Sequence, residues 1–198
     1  MTLIIALISL VVLSALGASL TTIMSTEVRA AANYAASRET MYAADGGLQI
    51  ASRELLAVSD WRALLSSGAL SGFVDGVPSG VRQLGDGSTV DLAQTTSLAN
   101  GEPRPWGANN PVWRLFAFGR VGQSTYVIAW VGDDPAENDG DPLIDGGGVS
   151  NPGDGILAVR AEAFGVAGAH TVLEATVRQD TEGPGVPMVR MLSWQEVR

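Results

Sequence analysis

Residues 1–26 read MTLIIALISLVVLSALGASLTTIMST, with no Asp, Glu, Lys, Arg or His among them. A helix rises ~1.5 Å per residue, so this run would be about 39 Å long, more than the ~30 Å hydrocarbon core of a bilayer. Its apolar residues occupy every face rather than one stripe, which suits lipid or a bundle of like helices. Buried core helices rarely run this long without a charge. A secretory signal peptide would carry a basic n-region, a shorter apolar core and a small-residue cleavage site. No basic residue precedes this run, and no A-x-A site followed by a turn ends it.

The helical pattern continues into a charged segment that includes Glu27, Arg29, Arg38, Glu39, Asp45, Arg53, Glu54, Asp60 and Arg62. No proline occurs from Met1 to Leu65, and Gly17, Gly46 and Gly47 are the only glycines there. The pattern predicts one helix over 1–65, on the order of 90 Å if unbroken. Residues 1–26 form its greasy half and 27–65 its amphipathic half. A helix of that length exceeds a compact domain of this size and is expected to protrude. In the second half Val28, Ala31, Ala32, Ala35, Met41, Tyr42, Leu48, Ile50, Leu55, Leu56 and Leu65 recur at helical spacing, an apolar stripe for packing on a sheet. Gly46-Gly47 would weaken the helix by about 1 kcal/mol per glycine relative to Ala.

Composition bounds the rest. A chain of 198 residues that gives one segment to such a helix has room for a single globular domain of about 130 residues. Every acidic and basic residue lies from Glu27 onward, so the net charge of −9 falls outside the apolar half. This balance argues against nucleic acid as a partner, because phosphate binding needs a concentrated basic surface. The chain has no cysteine, hence no disulfide framework and no thiolate metal site.

Residues 66–111 are rich in Gly, Ser, Asp, Asn and Pro and read as a connector. Within it, Val81–Leu84 and Thr89–Leu92 flank Gly85-Asp-Gly-Ser88 as a small hairpin; the remainder reads as loop. Residues 112–198 form the sheet domain. Its strand candidates are Val112–Phe118, Ser124–Val131, Gly155–Phe164 and His170–Arg178, with Pro187–Trp194 as a candidate edge strand. The fold class is α+β: a long N-terminal helix packed on an antiparallel sheet of about four strands.

The acidic loop 132–154 separates the second and third of these strands. From Gly132 to Asp145 it carries Asp133, Asp134, Glu137, Asn138, Asp139, Asp141 and Asp145 with no cation, and Asp154 follows. Carboxylates this dense repel one another unless solvated or neutralised. Hard cations such as Ca²⁺ take six to eight oxygen ligands, and Asn138-Asp-Gly-Asp141 is the kind of run that curls round one. The full EF-hand spacing is absent. A solvated acidic loop is the plain alternative; if Ca²⁺ binds, Asp133, Asp139, Asp141 and Asp145 are the expected ligands. Catalysis finds little support. His170 is the only histidine, Gly146-Gly-Gly148 follows no strand-to-helix turn, and no nucleophile or zinc motif occurs. The loop carboxylates lack the apolar wall that would set one pKa apart for acid–base work.

The uncharged start TLIIALISLVVLSALG, Thr26-Glu27 with Arg29 close behind, Ala32-Asn33, Arg38 and Tyr42-Ala-Ala-Asp-Gly-Gly-Leu48 resemble the PilX N-terminal type of minor pilin in the type IV pilin-like superfamily. The resemblance covers residues 1 to about 56. It implies a prepilin leader cut by a prepilin peptidase and a methylated new N-terminus; with no basic leader in this sequence, Met1 is expected to be the processed residue. It also implies a subunit that waits in the inner membrane, then enters an extracellular pilus by packing its helix among those of other minor and major pilins. Two departures from the major-pilin pattern favour a minor subunit. Ile5 stands where major pilins have a glutamate that pairs with a neighbouring N-terminal amine. The apolar half has no helix-melting proline either, only Gly17. The resemblance thus implies a tip or priming role, with adhesion and motility as its outputs. A minor pseudopilin of a type II secretion system and a single-span anchored binding protein are the alternatives.

Overall fold

The structure, a computed structural model, describes residues 1–137, 139–146, 153, 155–182 and 186–197. The chain divides into two units, Met1–Ala36 and Ser37–Arg198, and helix α1 (Thr2–Leu55) begins in the first and ends in the second. Asn138, Gly147, Gly148 and Asp154, named above in the acidic loop, lie outside the described residues.

The first unit is helical from Thr2. Its large apolar side chains from Met1 to Met24 are all exposed. The hydroxyls of Ser19, Thr21, Thr22 and Thr26 each donate to the carbonyl four residues back, and that of Ser25 to Thr22, at 2.6–3.0 Å. These polar groups are therefore satisfied inside the helix, the condition for placing them in a medium without water.

In the second unit α1 meets the sheet through small residues. Thr40, Ala43, Ala44, Gly47, Leu48, Ala51 and Leu55 are buried at the i, i+3, i+4 spacing of one helix face. Tyr42 and Leu56, expected on that stripe, are exposed. The packing face is made of alanine and glycine, with Leu48 and Leu55 as its large members. A Cβ on Gly47 would lie 2.5 Å from Val127 Cγ1 and 3.2 Å from the Ala161 Cβ, so backbone and sheet approach as closely as hydrogen allows.

The helix stops at Leu55 and does not run on to Leu65. Leu56, Ala57 and Val58 each bond to the carbonyl three residues back, the tightening typical of a helix end. Asp60 then caps a new helix, α2 (Trp61–Ser67), by accepting from Ala63 N at 3.0 Å, and Gly68 ends it in the left-handed region. Trp61 is buried and donates from Nε1 to the Leu55 carbonyl at 3.3 Å. The connector forms the expected hairpin, β1 (Val81–Gln83) with β2 (Thr89–Asp91). It also holds a helix where loop was expected. Asp91 accepts from Ala93 N and Gln94 N, both at 2.9 Å, and starts α3 (Leu92–Gly101).

The main sheet has five strands, close to the four expected, with the candidate edge strand as the fifth, in the order of the chain and antiparallel throughout: β3 (Arg114–Val121), β4 (Thr125–Asp133), β5 (Ile156–Phe164), β6 (His170–Glu182) and β7 (Val186–Val197). The Pro187–Trp194 candidate is the middle of β7. Alternation sends Val127, Ala129, Val131, Leu157, Val159 and Leu173 into one core with α1 and α2. On the opposite face Tyr126, Ile128 and Trp130 pack with Leu84, Val90, Leu92 and Ala99 of the connector. Covered on both faces, β4 is buried at all nine positions, which is why YVIAWV reads as a continuous apolar run.

The two glycines of α1 should therefore respond oppositely to substitution. Nothing lies within 4 Å of a Cβ built on Gly46, so Gly46→Ala should stabilise the full-length protein in detergent by up to about 1 kcal/mol. Gly47→Ala forces that Cβ against Val127 and should destabilise by about 1–3 kcal/mol. Chemical denaturation of the two variants checks both signs.

Candidate functional site

Helix α1 supplies the first functional surface. Its first half carries no charge, keeps hydroxyl bonds internal, and is long and apolar enough to cross a membrane.

A second feature lies on the sheet face away from α1. Arg160 in β5 sits directly across from Glu174 in β6, and Glu162 is two residues along on the same side. Glu102 and Arg104, just after α3, close over them. The Arg160 guanidinium is 2 % exposed. It donates from Nε to Glu162 (2.7 Å), from Nη1 to Glu174 (2.9 Å) and Glu102 (2.8 Å), and from Nη2 to Glu102 (2.7 Å). Arg104 clasps both oxygens of Glu174 and lies 5.2 Å from the Trp113 ring centroid. His170 pairs its Nε2 with Glu162 at 3.0 Å and stacks on Phe164, 4.6 Å between centroids. Burial alone would raise the Glu162 carboxyl, but the His170 hydrogen bond and the Arg160 charge outweigh it and hold it below the usual range. Burial likewise opposes Arg104 and Arg160 at Glu174 and loses, so that carboxyl too is lowered. A groove of about 790 Å³ opens beside the cluster, lined in part by Glu102, Arg104, Trp106, His170 and Gln195. Its carboxylates are matched by guanidinium forks and both buried ones are kept ionised. The asymmetry that acid–base catalysis needs is missing from this cluster.

The third feature is the acidic turn after β4. Asp133, the last residue of β4, is 3 % exposed. Asp134 Oδ1 accepts from Ala136 N at 3.1 Å and its carbonyl from Glu137 N at 3.0 Å, which turns the chain back on itself. Carboxylate oxygens of Asp133, Glu137 and Asp139 then lie within 4.8 Å of one another. Burial, followed by the nearby Glu137 charge, pushes the Asp133 carboxyl up to about 8, so one loop carboxylate is set apart by burial, contrary to the expectation from the sequence. Of the four residues expected as ligands, Asp133 and Asp139 are brought together with Glu137, which was not among them. Asp141 and Asp145 are not in that group: Asp141 accepts from Leu143 N at 3.1 Å and Asp145 from Gly155 N at 3.0 Å, although Asp145 is near enough for its charge to help raise Asp133.

Residues 1–49 match the family model described as PilX N-terminal. The N-terminal region is of the PilX type of type IV pilins. No curated protein and no solved structure matches the chain. The PilX-type region covers the apolar half of α1 and the start of its packing face. Of Tyr42-Ala-Ala-Asp-Gly-Gly-Leu48, the residues Ala43, Ala44, Gly47 and Leu48 are buried on the sheet, whereas Tyr42 is exposed. Ala43, Ala44 and Gly47 of this step are thus explained by packing, and Gly46 is not. Met1 directly precedes the helix, Ile5 is exposed within it, and the Gly17 carbonyl accepts from Thr21. Sequence reasoning missed the Arg160 cluster. The available signal was Arg160 and Glu162 at alternate positions of an otherwise apolar GILAVRAEAF, with Glu174 inside HTVLEATVR.

Removing the central guanidinium leaves buried carboxylates without their partner, so Arg160→Leu should cost about 3–5 kcal/mol. Adding Glu162→Gln and Glu174→Gln to that variant should recover part of the loss. The lowered carboxyls contribute stability above their unfolded value near 4.5 and lose it as pH falls through their lower folded values. Wild type should consequently weaken more steeply than the triple variant on acidification below about pH 4.5, read by denaturant midpoints at matched salt.

Proposed function

We propose that this protein is a minor pilin of a type IV pilus that acts by assembly rather than catalysis, at or near the filament tip, where it primes or promotes assembly and supports adhesion and motility. The reading rests on one observation above all: the uncharged, fully exposed apolar half of α1 inside the region that matches the PilX N-terminal model. Hiding a large apolar side chain from water is worth about 1.5–3 kcal/mol. Summed over Met1 to Met24, even at half that value, the gain rivals the ~5–15 kcal/mol that hold a domain folded. This surface therefore needs lipid or other helices around it. The inner membrane supplies the first before assembly, and neighbouring pilins supply the second in the extracellular filament.

The tip or priming position is favoured by charge. No carboxylate stands anywhere in residues 1–26, so the apolar half presents no buried anion that a subunit above or below would have to neutralise. Such a subunit packs by shape alone and does not demand a partner on both sides.

An immunoblot of sheared surface filaments and of membranes tests this, comparing wild type with a strain lacking the prepilin peptidase. A processed band in the sheared fraction, lost without the peptidase, is the expected result. The same band confined to membranes of both strains would leave α1 as a plain anchor and end the pilin reading.

A further inference from the structure

We propose that Asp133, Glu137 and Asp139 form a binding site for one hard divalent cation of the calcium type. Ligands of a common Ca²⁺ stand about 2.3–2.6 Å from it, so two of them can be no more than about 5 Å apart. The three carboxylates meet that condition, with one oxygen from each within 4.8 Å of the others. Proximity alone would describe many solvated acidic loops; the buried member makes this turn different. Asp133 is 3 % exposed, and its Oδ1 has no hydrogen-bond partner among the described residues. A carboxylate oxygen shut off from water and left unbonded costs several kcal/mol unless a proton or a cation neutralises it. No Arg, Lys or His occurs in residues 132–146 to do so.

The surroundings hold the three groups at this spacing. Asp133 is fixed as the end of β4, opposite Leu157 of β5. Glu137 is 2 % exposed; its Oε2 accepts from Gly146 N at 3.0 Å and its carbonyl from the Asn109 side chain. Asn109 also accepts from Gly140 N at 3.1 Å, beside Asp139. Asp139 is exposed and supplies the open side through which an ion and its remaining waters would enter. An all-oxygen donor set without His or Cys disfavours zinc and copper. Mg²⁺ demands near-ideal octahedral geometry and keeps several waters, whereas Ca²⁺ accepts irregular carboxylate sets.

The site lies wholly in the second unit and does not depend on the pilin reading. The test uses the full-length protein in detergent, stripped with EDTA, and the metals alone as probes. Trp113 ring carbons lie 3.2–3.4 Å from where a Gly132 Cβ would stand, next to Asp133, so this indole should sensitise Tb³⁺ luminescence. Expected are saturable Tb³⁺ emission on tryptophan excitation, displacement by Ca²⁺ but not by equal Mg²⁺, and a Ca²⁺-dependent rise in unfolding temperature. Asp133→Asn should abolish both responses while unfolding, in EDTA, at or above the wild-type temperature. Asp139→Asn alters an exposed residue and should weaken Ca²⁺ by at least about tenfold, which decides the matter if Asp133→Asn does not fold. Asp141→Asn should leave the affinity unchanged. Absence of both responses in wild type, or their survival in the Asp133 and Asp139 variants, would overturn the site.

Discussion

The second unit depends on how closely α1 can approach its sheet. Gly47 lets the helix backbone reach Val127 and Ala161, and Ala43, Ala44 and Ala51 keep the rest of the face flat. Close approach brings Leu48 and Leu55 into the layer formed by Val127, Ala129, Leu157, Val159 and Leu173. Packing at interior density is what turns a meander into a stable sheet, since strands without a covered face are marginal in water. The sequence step that carries the PilX resemblance is for this reason also the step that holds the sheet.

Covering one face left the other to be dealt with, and two different solutions share it. Over β3 and β4 the connector lays down the hairpin and α3, so Tyr126, Ile128 and Trp130 lie in a second apolar core. Beyond the reach of that core, β5 and β6 carry Arg160, Glu162 and Glu174, which pair with one another and with Arg104 and His170. Every basic side chain other than His170 is an arginine. Two guanidinium forks, with five donors each, can serve Glu102, Glu162 and Glu174 together, which two ammonium groups with three donors each would do less completely. Such a cluster gives specificity of register more readily than net stability: a one-residue slip between β5 and β6 would leave Arg160 and Glu174 on opposite faces of the sheet.

The elements legible in the sequence were those whose signal is local and strong. An uncharged run from Met1 to Thr26 needs no tertiary context, and the strands around GILAVRAEAF and HTVLEATVR are bounded by glycine-rich turns. Helix ends were harder. Ser59-Asp60 ahead of Trp61 is a capping signal, yet absence of proline and glycine made 56–65 look continuous with α1. Asp91 ahead of Leu92, Thr95 and Ala99 is another, masked by the polar texture of the connector. Burial on the second face could not be read at all from period-2 alternation, because Glu174 and Thr176 look like solvent-facing positions until Glu102 and Arg104 arrive from some 60–70 residues away. In the acidic loop the composition was plain, but which carboxylates converge depends on the turn at Asp134–Glu137, which brings Glu137 beside Asp133.

The distribution of charge along the chain is best understood as a division between two solvents. Residues 1–26 hold none of it, and the whole −9 resides where water or paired side chains can bear it. In the Arg160 cluster of the second unit buried charge is compensated locally: Arg160 by three carboxylates, Glu162 by Arg160 and His170. A single such residue in the apolar half would lack local compensation, because the neighbouring turns of α1 offer only hydrocarbon and hydroxyls already bonded to the backbone. Any partner helix would then have to supply the counter-charge at a matching height. Keeping that half free of charge removes this demand, so lipid and a bundle of apolar helices would suit it alike and neither would impose a fixed register. Selectivity for neighbours must in that case come from side-chain shape along the helix and from the water-facing surfaces of the second unit.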